Sequence, residues 1–73
     1  VYPNPTRGDF YLKMNAKHKN VTVNVFDISG KLVFTKNGVN PEEKISPSLP
    51  KGHYIVKVEK EGEYIFSSKL IVR

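Results

Sequence analysis

Two histidines, seven carboxylates and a scatter of hydroxyls are the side chains of this 73-residue chain that carry catalytic or metal-binding chemistry. Their spacing serves none of it. His18 falls in a turn and His53 opens a strand, and neither has a second histidine or a carboxylate at metal-ligand spacing. The serines and threonines are dispersed, with no glycine-flanked nucleophile elbow. The glycines stand alone, so no loop is built to cradle a phosphate. Glu42-Glu43 and the trio Glu59, Glu61 and Glu63 sit in turns and beside a hairpin, where charge keeps a sheet edge soluble. Asp9 and Asp27 are isolated, and calcium needs several oxygens gathered by one loop. With no cysteine, thiolate metal sites, thiol catalysis and disulfide scaffolds are excluded. The expectation is a chain that is not an enzyme and takes no cofactor and no metal.

A chain of this length makes one small domain of marginal stability. Its net charge of +5 comes from twelve Lys and Arg against seven Asp and Glu. Such a balance raises nucleic acid or an anionic surface as a partner. The cations are spread, however, and the densest stretch is Lys17-His18-Lys19. Nucleic-acid binding needs a concentrated basic footprint, so none is expected. No apolar run approaches the roughly 20 residues of a membrane span. No signal peptide opens the chain. Its start on Val1-Tyr2, without methionine, reads as a domain excised from a longer protein.

The elements that must position these residues are strands, because the apolar period is two. Phe10, Leu12 and Met14 alternate with Asp9, Tyr11 and Lys13, and Val21, Val23 and Val25 with Thr22, Asn24 and Phe26. Leu32 with Phe34, Tyr54 with Val56 and Val58, and Tyr64 with Phe66, then Leu70 with Val72, repeat the pattern. Turn signals fall at Asn15 to Asn20, Asp27-Ile28-Ser29-Gly30, Asn37-Gly38, Asn40-Pro41, Ser46-Pro47, Pro50-Lys51-Gly52 and Lys60 to Glu63. Gly30 and Gly62 suit the left-handed position of a hairpin turn, and Asp27 suits an Asx-type turn. The proline-rich segment from Val39 to Pro50 has room for one short edge strand around Ile45, with Leu49 as a core plug. Ser67-Ser68 fits a bulge or a crossing between sheets, although alternation alone explains it. Short alternating strands at this spacing predict an all-β sandwich or barrel.

Four motifs stand in a set order. They are Tyr2-Pro3-Asn4-Pro5-Thr6-Arg7-Gly8; Val23-Asn24-Val25-Phe26-Asp27-Ile28-Ser29-Gly30-Lys31-Leu32-Val33; Leu49-Pro50-Lys51-Gly52-His53-Tyr54-Ile55-Val56-Lys57-Val58; and Ser68-Lys69-Leu70-Ile71-Val72-Arg73. Each has a local reading. The prolines stiffen an extended lead-in, and Gly52 allows a positive φ or a close backbone approach before the Tyr54 strand.

Together and in order, from Tyr2 to Arg73, they resemble the C-terminal sorting domain of type IX secretion cargo proteins, type A. The resemblance implies a small immunoglobulin-like β-sandwich of about seven antiparallel strands, spanning residues 1–73 and attached to a larger cargo in Bacteroidetes. It implies a secretion signal. The cargo would reach the periplasm, cross the outer membrane through the type IX translocon, and pass to an outer-membrane β-barrel shuttle protein. A cell-surface sortase would remove the domain, leaving the cargo secreted or on the cell surface. Arg73 departs mildly from the lysine common at that position, with the charge kept.

By the same resemblance, the partner-binding residues are Gly52 and the segment Lys69, Leu70, Ile71, Val72 and Arg73. For Gly8, Gly30 and Pro3 a role in the fold is expected. For Lys69 to Arg73 recognition is expected, because a free strand end adds readily to a partner's sheet edge. Self-association through exposed edges stays open. Besides an inert fibronectin-like spacer, the competing function is an accessory carbohydrate-binding or adhesion sandwich using Tyr2, Tyr11, Tyr54 and Tyr64. Against it, no adjacent exposed aromatic pair is evident in the sequence, and Tyr54 and Tyr64 read as core by parity.

Overall fold

The computed structural model describes residues 1–2, 4–14 and 17–73; Pro3, Asn15 and Ala16, and with them part of the lead-in and of the turn expected before Asn20, lie outside the described residues. Among the described residues six strands follow one another: β1 (Phe10–Tyr11), β2 (Val21–Asp27), β3 (Leu32–Val39), β4 (Lys44–Ile45), β5 (Gly52–Lys60) and β6 (Glu63–Val72). The expected count was about seven. Among its described residues the lead-in contributes isolated bridges, Tyr2 with Tyr11 and Thr6 with Val72.

The strands form two antiparallel sheets, a four-stranded one in the order β3-β2-β5-β6 and a two-stranded one of β1 and β4. The period-two residues supply the core. Val21, Val23 and Val25 of β2, Tyr54, Val56 and Val58 of β5, and Leu70 and Val72 of β6 are all buried. Phe10 of β1 faces Ile45 of β4, and both join that same buried cluster. The short strand expected around Ile45 is therefore β4, and Leu49 packs against the core from the loop beyond it.

Three expectations give way to irregular pairing. Asn37-Gly38 is no turn but part of β3, where the register shifts between Val21–Val39 and Val23–Lys36. A second shift pairs Val25 with Phe34 and Phe26 with Leu32. Phe34 therefore packs on the core while Leu32 is left exposed. A third shift lies between Val58 and Glu59, opposite Phe66 and Tyr64. The extra residue, Ile65, packs inward with Phe66, and Tyr64 is turned out to 61% exposure instead of joining the core. Ser67-Ser68 pairs regularly with Lys57 and Val56 and makes no bulge or crossing. A bulge adds one residue to one strand only, so it reverses the inward parity beyond it.

The Asp27 turn forms as its residue types require. The carboxylate accepts the Ser29 hydroxyl at 2.6 Å and the Ser29 and Lys31 N–H groups at 2.9 and 3.0 Å. Gly30 closes the turn at φ +88°, a conformation that costs an L-residue free energy. These bonds, the Ser29 hydroxyl foremost, hold the Asp27 pKa below its ordinary value of 3.8. Asp9 is lowered by Ser46 and then Lys44, and Glu43 by Lys36 and then the Asn40 backbone. A carboxylate with a depressed folded-state pKa adds stability that is present above its unfolded pKa and lost as the pH falls through the folded one. The urea midpoint of the domain is therefore expected to hold at neutral pH and to fall below about pH 4. In Asp27→Asn the midpoint should start lower at pH 6 and fall less steeply on acidification. An identical pH profile in the variant would remove Asp27 from the acid response.

Candidate functional site

The two sequence-predicted site elements, some twenty residues apart in the chain, meet at one end of the four-stranded sheet. Gly52 pairs with Val72, His53 with Ile71, Tyr54 with Leu70 and Ile55 with Lys69. The cause is the β5-β6 hairpin, which folds the end of β6 back onto the start of β5. Gly52 adopts φ +157°. A Cβ placed there would meet the Tyr54 ring and hydroxyl at 3.7–3.8 Å, an ordinary contact, so it is the backbone angle that selects glycine. The Tyr54 hydroxyl donates to the Pro50 carbonyl at 2.6 Å, closing the Pro50-Lys51-Gly52 turn over the core.

Within the terminal segment the residues divide. Leu70 and Val72 are buried, whereas Lys69 and Arg73 are exposed and Ile71 is half-buried. Leu70 and Val72 are thus committed to the core, and the groups left to meet a partner are Lys69, Ile71 and Arg73. The strand edge itself is not free, contrary to the expectation from sequence. The Thr6 N–H donates to the Ile71 carbonyl at 2.8 Å and the Arg73 N–H to the Thr6 carbonyl at 2.8 Å. The Asn4 amide completes the cover. Its Nδ2 donates to the Lys69 carbonyl at 2.8 Å, and its Oδ1 accepts the Ile71 N–H at 2.9 Å. A primary amide carries one donor and one acceptor side by side, so it pairs with a strand edge as another strand would.

Thr6 anchors this latch. It is a buried polar residue whose hydroxyl donates to the Asp9 carbonyl and accepts the Gly8 N–H at 3.2 Å. By local sequence rules the lead-in is a stiff spacer, with no role for Asn4 and Thr6. Polar residues interleaved with two prolines in an otherwise extended stretch were the available signal.

Beside the latch, a shallow hollow is lined by Pro5, Thr6, Arg7, Lys51 and Arg73, and an adjoining one by Lys51, Gly52, His53, Ile71, Val72 and Arg73. Neither lining contains a carboxylate. Arg7, Lys51 and Arg73 make these two hollows suited to anionic groups, while Asp27 lines a third hollow on the far side of Lys51 and Gly52.

Among the described residues, no three His, Asp or Glu side chains gather as a metal site, and no helix is long and apolar enough to cross a membrane. One aromatic pair that the sequence did not reveal is present. Tyr2 stacks on Tyr11 across their bridge, with centroids 5.4 Å apart and planes at 20°.

Against known proteins, the family described as the secretion system C-terminal sorting domain matches residues 1–73. No curated protein matches the chain.

Proposed function

The chain belongs to the family of type IX secretion C-terminal sorting domains, and on that premise we propose that the machinery reads it at the end of the sheet where Gly52 faces Val72. Membership makes it a C-terminal secretion sorting signal: a protein attached to it is exported by type IX secretion to the cell surface or beyond. The observation that carries the finer reading is the convergence of Gly52, Lys69, Ile71 and Arg73 on one end of the sheet, where Lys51 and Arg73 line the hollow beside Gly52. In this reading the domain is a folded label joined to a larger cargo and performs no catalysis. An outer-membrane β-barrel shuttle protein of the type IX translocon receives it, and a cell-surface sortase then removes it. The host belongs to the Bacteroidetes. The architecture is read as a reduced immunoglobulin-like sandwich, supported by the way Phe10 and Ile45 close the small sheet over the core of the large one.

The carbohydrate-binding alternative gains little from Tyr2 and Tyr11. Rings stacked on one another each use a face that a sugar platform would need to present.

The test is a fusion of a signal peptide, a fluorescent protein, a linker and residues 1–73, expressed in a type IX-competent strain and in a translocon-deficient one. Fluorescence is expected at the surface or in the medium of the first and in the periplasm of the second. Equal export from both strains would overturn the proposal.

A further inference from the structure

In an antiparallel sheet, directly paired residues project from the same face. Leu32 pairs with Phe26, Phe26 with Ile55, and Ile55 with Lys69, so these four cross the whole sheet in one row. In the next outward row, His53 pairs with Ile71. The rows between and beside them, Tyr54 with Leu70 and Val25 with Val56, point into the core. The first row therefore points away from it. Leu32 is 47% exposed and Ile55 44%, while Phe26 and Ile71 are half-buried. The solvated face of an antiparallel sheet ordinarily carries polar side chains. An apolar band across four strands on that face marks an interaction surface.

The rim of the band is cationic. Lys69 ends the row, Lys57 lies one row along on the same face, and Arg73 follows Ile71 at the next position of like parity. Glu59, the carboxylate on this face of β5, stands two rows away and accepts a hydrogen bond from Asn24 at 3.3 Å. Asp27 is turned into its own turn.

We propose that the face formed by Leu32, Phe26, Ile55 and Ile71, with Lys69 and Arg73 at its rim, docks on an apolar surface edged by carboxylates on a protein of the secretion machinery. The proposal rests on the sorting reading and deepens it. Because Asn4 and Thr6 occupy the backbone edge of residues 69–73, that segment is read through its outward side chains, not by strand addition. The apolar band supplies the water-excluding centre, and the cations select an acidic partner and speed its approach.

The experiment uses the same fluorescent fusion in the competent strain. The pair Leu32→Ser with Ile55→Ser, the single Ile55→Thr, which keeps strand propensity, and the pair Lys69→Glu with Arg73→Glu are compared with Lys13→Glu with Lys19→Glu as a charge control. Ile55→Thr and the Lys69→Glu with Arg73→Glu pair should stay close to the denaturation midpoint of the wild type, the serine pair should fall below it while remaining folded at the growth temperature, and all should lose about tenfold in export rate, as expected when a central contact is removed. The control should export normally. Wild-type export by any folded face variant would overturn the proposal, as would equal loss in the control. Two further arms assign the occupant. Binding of the wild-type chain to vesicles of anionic phospholipid, lost in the serine pair, would make this a membrane face. A dimer in sedimentation, lost in the same pair, would assign the face to a second copy. Either result overturns the protein partner. Failure of the wild-type fusion to depend on the translocon would instead overturn the sorting reading itself.

Discussion

Phe10→Ala is expected to destabilise the domain by about 3–5 kcal/mol, the cost of emptying a buried aromatic site. Phe10 is fully buried and faces Ile45, so it is half of the contact through which the two-stranded sheet meets the core. A chain of this length holds only about 4–11 kcal/mol in total, at the usual stability per residue. The variant should therefore sit close to its unfolding midpoint at ambient temperature. Urea denaturation followed by near-ultraviolet dichroism reads the loss directly. A change below about 1 kcal/mol would place the β1-β4 layer off the core, since only a poorly packed site gives so small a cost. Export of the corresponding fusion should fall with the folded fraction, because Phe10 lies inside the fold and offers nothing to a partner.

Gly52→Ala carries the second large effect, and here stability and recognition come apart. The added methyl meets the Tyr54 ring at an ordinary distance of 3.7 Å, so crowding contributes little. The φ of +157° is the cost, about 1–3 kcal/mol for an L-residue held in a sparsely populated region. Relief of that strain requires β5 to shift at its first residue, which moves Val72 and with it Ile71 and Arg73 across the ladder. The expected result is a lower urea midpoint together with an export loss larger than the change in folded fraction accounts for. Lowering the growth temperature until the variant is fully folded separates the two contributions. Full recovery of export under that condition would show that Gly52 acts for the fold alone.

Local rules made a good part of this molecule readable in advance. Val21, Val23 and Val25, and Tyr54, Val56 and Val58, are buried where a period of two puts them. A strand that stays regular keeps its parity for its whole length. The Asp27 turn was equally legible, because its bonds span only two to four residues and its left-handed position is taken by Gly30. The proximity of Gly52 to the terminal segment was not legible by any such rule. It came from family resemblance as a shared role, and the β5-β6 register made it a shared place.

What the sequence by itself determined is the all-β class, the valine-rich core of β2 and β5 and the glycine-bearing turn, each governed by residues that touch their near neighbours. What only the tertiary structure decided depends on pairing between distant segments. The bulges next to Leu32 in β3 and next to Tyr64 in β6 reversed parity and left both exposed, because a strand's own sequence does not record which of its residues goes unpaired against the partner. Asn4 and Thr6 close the edge of β6 from more than sixty residues away, and no local pattern links the two segments. The apolar row from Leu32 through Phe26 to Ile55 likewise exists only once three strands lie side by side, since each contributes a single residue to it.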